Sequence, residues 1–150
     1  MNLECKIRVL TTLLLSALMV LAVTMTTPGA VLAAVKPPKP QPGVDQALYA
    51  TGRDIYLASY CGSCHTLTAA GARGVFGPTH DHLARTAARR IADPKYKGDA
   101  TTPADYIRES ILTPNAYIAG GATLRQAMPP YTQLAAADLD ALVYFLAQQQ

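Results

Sequence analysis

The sequence predicts an all-α domain with long loops, and three observations predict it. Apolar residues recur at helical spacing in four separated stretches, no run alternates long enough for a strand, and glycines and prolines punctuate the gaps. With 150 residues and a formal net charge of +3, the chain has room for one small domain plus appendages, and no internal repeat is evident.

The first 34 residues read as a targeting segment. Lys6 and Arg8 supply a positive start, Val9 to Met25 is uncharged, and the small residues Ala30-Val31-Leu32-Ala33-Ala34 follow. A cut after Ala33 suits a signal peptidase. The other reading keeps residues 9–25 as a hydrophobic helix anchored in the membrane, at the short edge of what spans a bilayer. Either way the remainder faces the outside of the plasma membrane. Residues 35–43 (VKPPKPQPG) hold four prolines and two lysines, a composition for an extended linker rather than a core. Residues 44–150 then form the domain.

The helices follow in order. Asp45 is placed to cap the first, which runs to Tyr60 with Leu48, Ile55, Tyr56 and Tyr60 on one side. Gly52 interrupts it at some cost in propensity, a cost explained if another helix approaches there. Residues 66–77 read as a loop closed by Gly77-Pro78. Thr79 is placed to cap a second helix over 80–91, and residues 91–101 form another loop. Thr102-Pro103-Ala104-Asp105 combines a hydroxyl cap, a first-turn proline and an acid three residues on, so a third helix starts there and stops before Thr113-Pro114. Residues 115–131 are irregular, broken by Gly120-Gly121 and Pro129-Pro130. A last helix spans 136–148, with Leu139, Leu142, Val143 and Leu146 as its buried stripe.

Between the first helix and the first loop lies Cys61-Gly62-Ser63-Cys64-His65. Two thiols three residues apart, followed at once by an imidazole, form the attachment pattern of a c-type haem. On a short helical turn each thiol adds across one vinyl group, and His65 is left under the macrocycle as an iron ligand. A second axial ligand is then required. Met128 is the best candidate: it is followed by Pro129-Pro130, which stiffen the backbone behind the thioether, and it is the only methionine once residues 1–33 are removed. His80 and His82 are rivals for that position, although they follow Pro78 too closely to reach over the opposite face easily. Gly77-Pro78 is open to two readings, an ordinary turn or a rigid carbonyl that accepts from the other nitrogen of His65.

The motif has competing readings. Zinc held by the thiols with His80 and His82 is one, but a His-x-His spacing fits a structural zinc site poorly. A thioredoxin-like dithiol is another, but it needs a strand–helix setting that is missing here. Cys5 precedes the apolar stretch, and with Cys61 and Cys64 committed to the motif no pair is left for a structural disulfide.

Taken together, these residues resemble a class I cytochrome c over roughly 45–148. The pattern comprises Gly52, the Cys61–His65 motif, Gly77-Pro78, Tyr106-Ile107-Arg108-Glu109-Ser110-Ile111, Met128-Pro129-Pro130-Tyr131 and residues 139–146. The run from Tyr106 to Asn115 and the Met128–Tyr131 segment look most like cytochrome domains attached to membrane oxidases and related respiratory complexes. The resemblance implies the cytochrome c fold, about four helices around one haem c, with first and last helices crossing near Gly52 and Tyr144. It further implies haem attachment through Cys61 and Cys64, axial ligation by His65 and Met128, and a Pro78 carbonyl that accepts from His65. One departure stands out: His80 occupies a position where the family usually has leucine, with Leu83 one turn on as its replacement in the apolar wall.

Arg85, Arg89, Arg90, Lys95 and Lys97 gather in one stretch, diluted by Asp81, Asp93 and Asp99. They read either as a solvated face or as a surface for an acidic partner or for haem propionates. No alternation of basic and aromatic residues supports nucleic acid. The expected role is one-electron transfer between membrane-bound or extracytoplasmic partners, such as a membrane oxidase or a quinol-oxidising complex. The alternative is a fixed haem subunit of a respiratory or photosynthetic complex. With both axial positions filled, the domain is expected to be a carrier and not an enzyme in itself.

Overall fold

The computed structural model describes residues 42–118 and 128–150. The leader, nearly all of the proline-rich linker and the Gly120-Gly121 break lie outside the described residues, as do the two readings of residues 9–25. Among the described residues, no helix is long and apolar enough to cross a membrane.

Among the described residues, four α-helices build the domain: α1 (Gln46–Ala58), α2 (Leu83–Ile91), α3 (Pro103–Leu112) and α4 (Ala136–Ala147). Helix α1 starts where expected, because the Asp45 carboxylate accepts from the Leu48 amide at 3.0 Å. It packs chiefly on α4, and Gly52 is the reason the two can come so close. A Cβ at Gly52 would collide with the Ala141 carbonyl and stand 2.6 Å from the Phe145 Cβ. The Asp45 amide also donates to the Tyr144 hydroxyl at 2.8 Å, which fixes the start of α1 against α4. Tyr49 meets Phe145 edge-on at 4.9 Å between ring centres.

Helix α3 carries the full capping box. Asp105 N donates to Thr102 Oγ1 at 3.2 Å, and Thr102 N donates back to the Asp105 carboxylate at 3.1 Å. Tyr106, Ile107 and Ile111 point into the core beside Leu139, Leu142, Phe145 and Leu146 of α4. The Arg108–Asp140 ion pair links the same two helices on the outside.

Three expectations need correction. The second helix begins at Leu83, not His80, and its N-cap residue is His82, whose side chain makes no cap bond. Thr79 is occupied elsewhere: its hydroxyl accepts from the Asp81 amide at 3.2 Å and donates to the Thr66 carbonyl at 3.3 Å. That turn delays the helix by three residues and sets His80 inward. Second, the loop over 66–77 contains a small antiparallel ladder, Thr66–Leu67 with Ala72–Arg73, closed by Gly71 at φ 68°. Two-residue strands are too short to leave an alternating signature. Third, Tyr60 does not share the buried side of α1. It is 78% exposed and adopts a left-handed φ of 57°, which ends the helix.

Two outcomes follow. Gly52→Ala should lower the free energy of unfolding by about 1–3 kcal/mol, as overpacking does, read from the denaturant midpoint. The Asp105 carboxyl lies below the usual carboxylate range, held there first by the Thr102 hydroxyl. Its stabilising effect is therefore complete above an unfolded value of about 3.9 and fades as pH falls through the lower folded value. Thr102→Ala should flatten that acid limb, and parallel limbs in parent and variant would contradict this role for the cap.

Candidate haem site

The Cys61–His65 motif sits on a single 3₁₀ turn, Cys61–Ser63, entered through the left-handed Tyr60. A bulky residue in that region is strained, and here the strain turns the chain sharply out of α1. The turn is held by Ser63 Oγ donating to the Tyr60 carbonyl at 2.7 Å and by the His65 amide donating to the Cys61 carbonyl at 3.0 Å. The following loop closes over it: the Gly77 amide donates to the Cys64 carbonyl at 2.8 Å, and the His80 amide to the Thr66 carbonyl at 2.8 Å.

His65 is buried, and its Nδ1 lies 2.7 Å from the Pro78 carbonyl oxygen. A carbonyl only accepts, so Nδ1 carries the hydrogen and Nε2 is left with its lone pair. Burial lowers the pKa of His65 below the usual histidine value, with the nearby Arg90 charge acting the same way and the Pro78 hydrogen bond opposing them. The ring is therefore a neutral donor at neutral pH, in one tautomer, which is what an iron ligand requires. A Cβ on Gly77 would meet three atoms of the His65 ring before anything else, with Nδ1 at 2.6 Å, so only glycine lets the loop pass so close.

A cavity of about 330 Å³ opens in front of this imidazole. Cys61, Cys64, His65, Pro78 and Met128 all line it, so the structure brings every candidate site residue to one place. Its remaining walls are mostly apolar, from Leu83 of α2, Ile107 and Ile111 of α3, and Leu142 and Leu146 of α4. Leu83 lines the cavity together with His80. Met128 is partly buried and packed against the core, and Tyr131 anchors the segment behind it, its amide donating to the Ile111 carbonyl at 3.0 Å and its hydroxyl to the Ser59 carbonyl at 3.2 Å.

The competing readings of the motif find no support in this geometry. Among the described residues, no cluster of three or more His, Cys, Asp or Glu side chains could hold a metal ion. His82 turns away, its Nδ1 2.6 Å from the Gln150 carbonyl oxygen. Burial pushes the Cys61 thiol up to about 11, the opposite of the lowered pKa that a redox-active dithiol exploits. His80 lines the cavity but stacks on His65, ring centres 4.0 Å apart and planes 17° apart. A ring in stacking contact with His65 stands beside it, not across the cavity from it.

A protein-family model described as cytochrome c oxidase, cbb3-type, subunit III matches residues 47–146. The chain belongs to this family. No match was found among the curated proteins or the solved structures. As a cytochrome c domain, the chain is a haem-based electron carrier and not an enzyme in itself. The described residues suit such a group: a mostly apolar cavity of the right kind, a neutral imidazole with a free lone pair, and two unpaired thiols at its edge.

Other residues of this cytochrome site carry no sequence signal of their own. Arg90 was one of five basic residues in a row of loop and helix, yet it alone turns to the cavity, where it donates to the Tyr106 hydroxyl at 3.3 Å. Arg85, Arg89, Lys95 and Lys97 stay exposed. Tyr117 also reaches the cavity, with its hydroxyl donating to Asp93 at 3.0 Å.

The close pass of Gly77 over His65 is directly testable. In Gly77→Val, the added side chain should push the imidazole aside and convert part of the haem protein to a high-spin spectrum. A variant with the parent's spectrum and the parent's midpoint potential would contradict the clamp.

Proposed function

We propose that this chain is a mono-haem c-type electron carrier in which Cys61 and Cys64 hold the haem through thioether bonds and His65 and Met128 are the axial ligands. The observation that carries the reading is that Cys61, Cys64, His65 and Met128 all line one mostly apolar cavity, with Nδ1 of His65 already held by the Pro78 carbonyl. When bound, the haem supplies the ferric–ferrous couple. The chain's own residues do the rest. The Pro78 carbonyl holds the His65 tautomer and raises the basicity of its free nitrogen. Met128 adds a soft, weak donor, a pairing that raises the potential relative to harder ligands. The aliphatic walls from α3 and α4 keep water away, and Arg90 offers the cavity a positive charge for propionates.

The domain over 44–150 works outside the cytoplasm, delivered by the segment over 1–34, and meets a membrane oxidase or quinol-oxidising complex as its redox partner. A second reading is favoured by the family description, which names a subunit of an oxidase. In that reading residues 9–25 remain as an anchor and the chain is a fixed part of the complex. Release of the haem protein by osmotic shock supports the free carrier, and co-purification with a detergent-solubilised oxidase supports the subunit.

Replacing Met128 by Ala should lower the reduction potential and let the ferrous protein bind carbon monoxide readily. The weak red band of sulfur-to-iron ligation should vanish with it. An unchanged spectrum and no binding of carbon monoxide would exclude Met128 as a ligand.

A further inference from the structure

Among the described residues, one buried side-chain polar atom lacks any hydrogen-bond partner: Nδ1 of His80. Burying a polar nitrogen without a partner is costly, and buried polar groups in proteins are nearly always paired. A hydrocarbon side chain would line the same wall without that penalty. Nδ1 makes no bond that would justify the imidazole, and the contact that the ring does make is through its flat face. That face lies against His65 at 4.0 Å and 17°, and His80 also meets Tyr56 in an edge-type contact at 5.9 Å between centres. Tyr56 is fully buried, and its hydroxyl donates to the His65 carbonyl at 3.3 Å, so the stack is backed by a rigid support.

His65 is thereby restrained from several directions. Pro78 holds Nδ1, the Gly77 backbone passes close to the ring, and His80 stacks on its face. A hydrogen bond to Nδ1 alone fixes which nitrogen is free, but it permits the ring to rock about the line from Pro78 through the imidazole. A parallel aromatic plane opposes that rocking, because any tilt of His65 drives an edge into its neighbour. A branched aliphatic chain has no plane to offer.

We propose that His80 is a positioning residue that sets the rotational orientation of the His65 ring, and with it the plane of the imidazole bound to haem iron. The inference rests on His65 being that ligand. His80 works through its aromatic face, which lies parallel to the His65 ring within 17°.

The test uses the purified ferric holoprotein and the pattern of paramagnetically shifted haem methyl resonances, which depends on the plane of the axial imidazole. His80→Leu removes the flat face and should shift the methyl resonances by well more than their line widths. His80→Phe restores a plane without a ring nitrogen and should return them toward the parent pattern. Methyl shifts in His80→Leu equal to the parent's would overturn the proposal, as would a His80→Phe pattern matching His80→Leu rather than the parent. Loss of thermal stability alone, with methyl shifts unmoved, assigns His80 to plain packing and also overturns it. Should one variant fail to yield holoprotein, His80→Met and His80→Tyr make the same aliphatic-against-aromatic comparison. A parent protein without an imidazole-ligated low-spin spectrum would instead refute the ligation of His65, a failure separate from that of His80.

Discussion

The hydrogen bond between His65 Nδ1 and the Pro78 carbonyl is the constraint on which the rest of the site depends. It joins the two ends of the loop that follows the Cys-x-x-Cys turn, and it decides which imidazole nitrogen is free. Without it a buried histidine could carry its hydrogen on either nitrogen, and a ring with Nε2 protonated cannot ligate iron through that atom. The surrounding backbone bonds, from Gly77 to Cys64 and from His80 to Thr66, hold donor and acceptor at that spacing. Local strain at Tyr60 serves the same end, since the left-handed turn directs the thiols out of α1 toward the cavity.

The cavity also shapes the stability of the domain. Helices α1 and α4 pack tightly through Gly52, and α3 docks on α4 through an apolar stripe, but the space between them and the Cys61–His65 turn is left open. A domain this small has little core to spare. Much of what would be core in another all-α fold is here wall, lined by aliphatic side chains facing a shared space. A covalently held haem in that space would complete the core as well as provide the redox centre.

Much of this was legible in the sequence because it rests on local rules. The Asp45 and Thr102 caps, the stop before Pro114 and the Leu139–Leu146 stripe each follow from a few neighbouring residues, and the structure bears them out. The close approach at Gly52 was legible because a glycine inside a helix demands a reason. What escaped depends on long-range partners. Thr79 looks like a helix cap, but Thr66, thirteen residues earlier, claims its hydroxyl. Tyr60 fits the helical spacing, but the helix ends before it because the chain must turn at the motif. Arg90 looks like its exposed neighbours Arg89 and Arg85, and only the packing of α2 beside α3 brings it to Tyr106. His80 stood out as a departure from the family pattern, yet nothing in its sequence neighbourhood says that it stacks on His65.

The central claim is that one haem is covalently bound through the Cys61–His65 turn. Its most direct test is the intact mass of the purified protein, made in a host able to attach haem and extracted with acidified acetone, followed by mapping of the modified peptide. The account predicts one haem per polypeptide retained through extraction, on the peptide that contains Cys61 and Cys64. A colourless extracted protein with the bare polypeptide mass would contradict it.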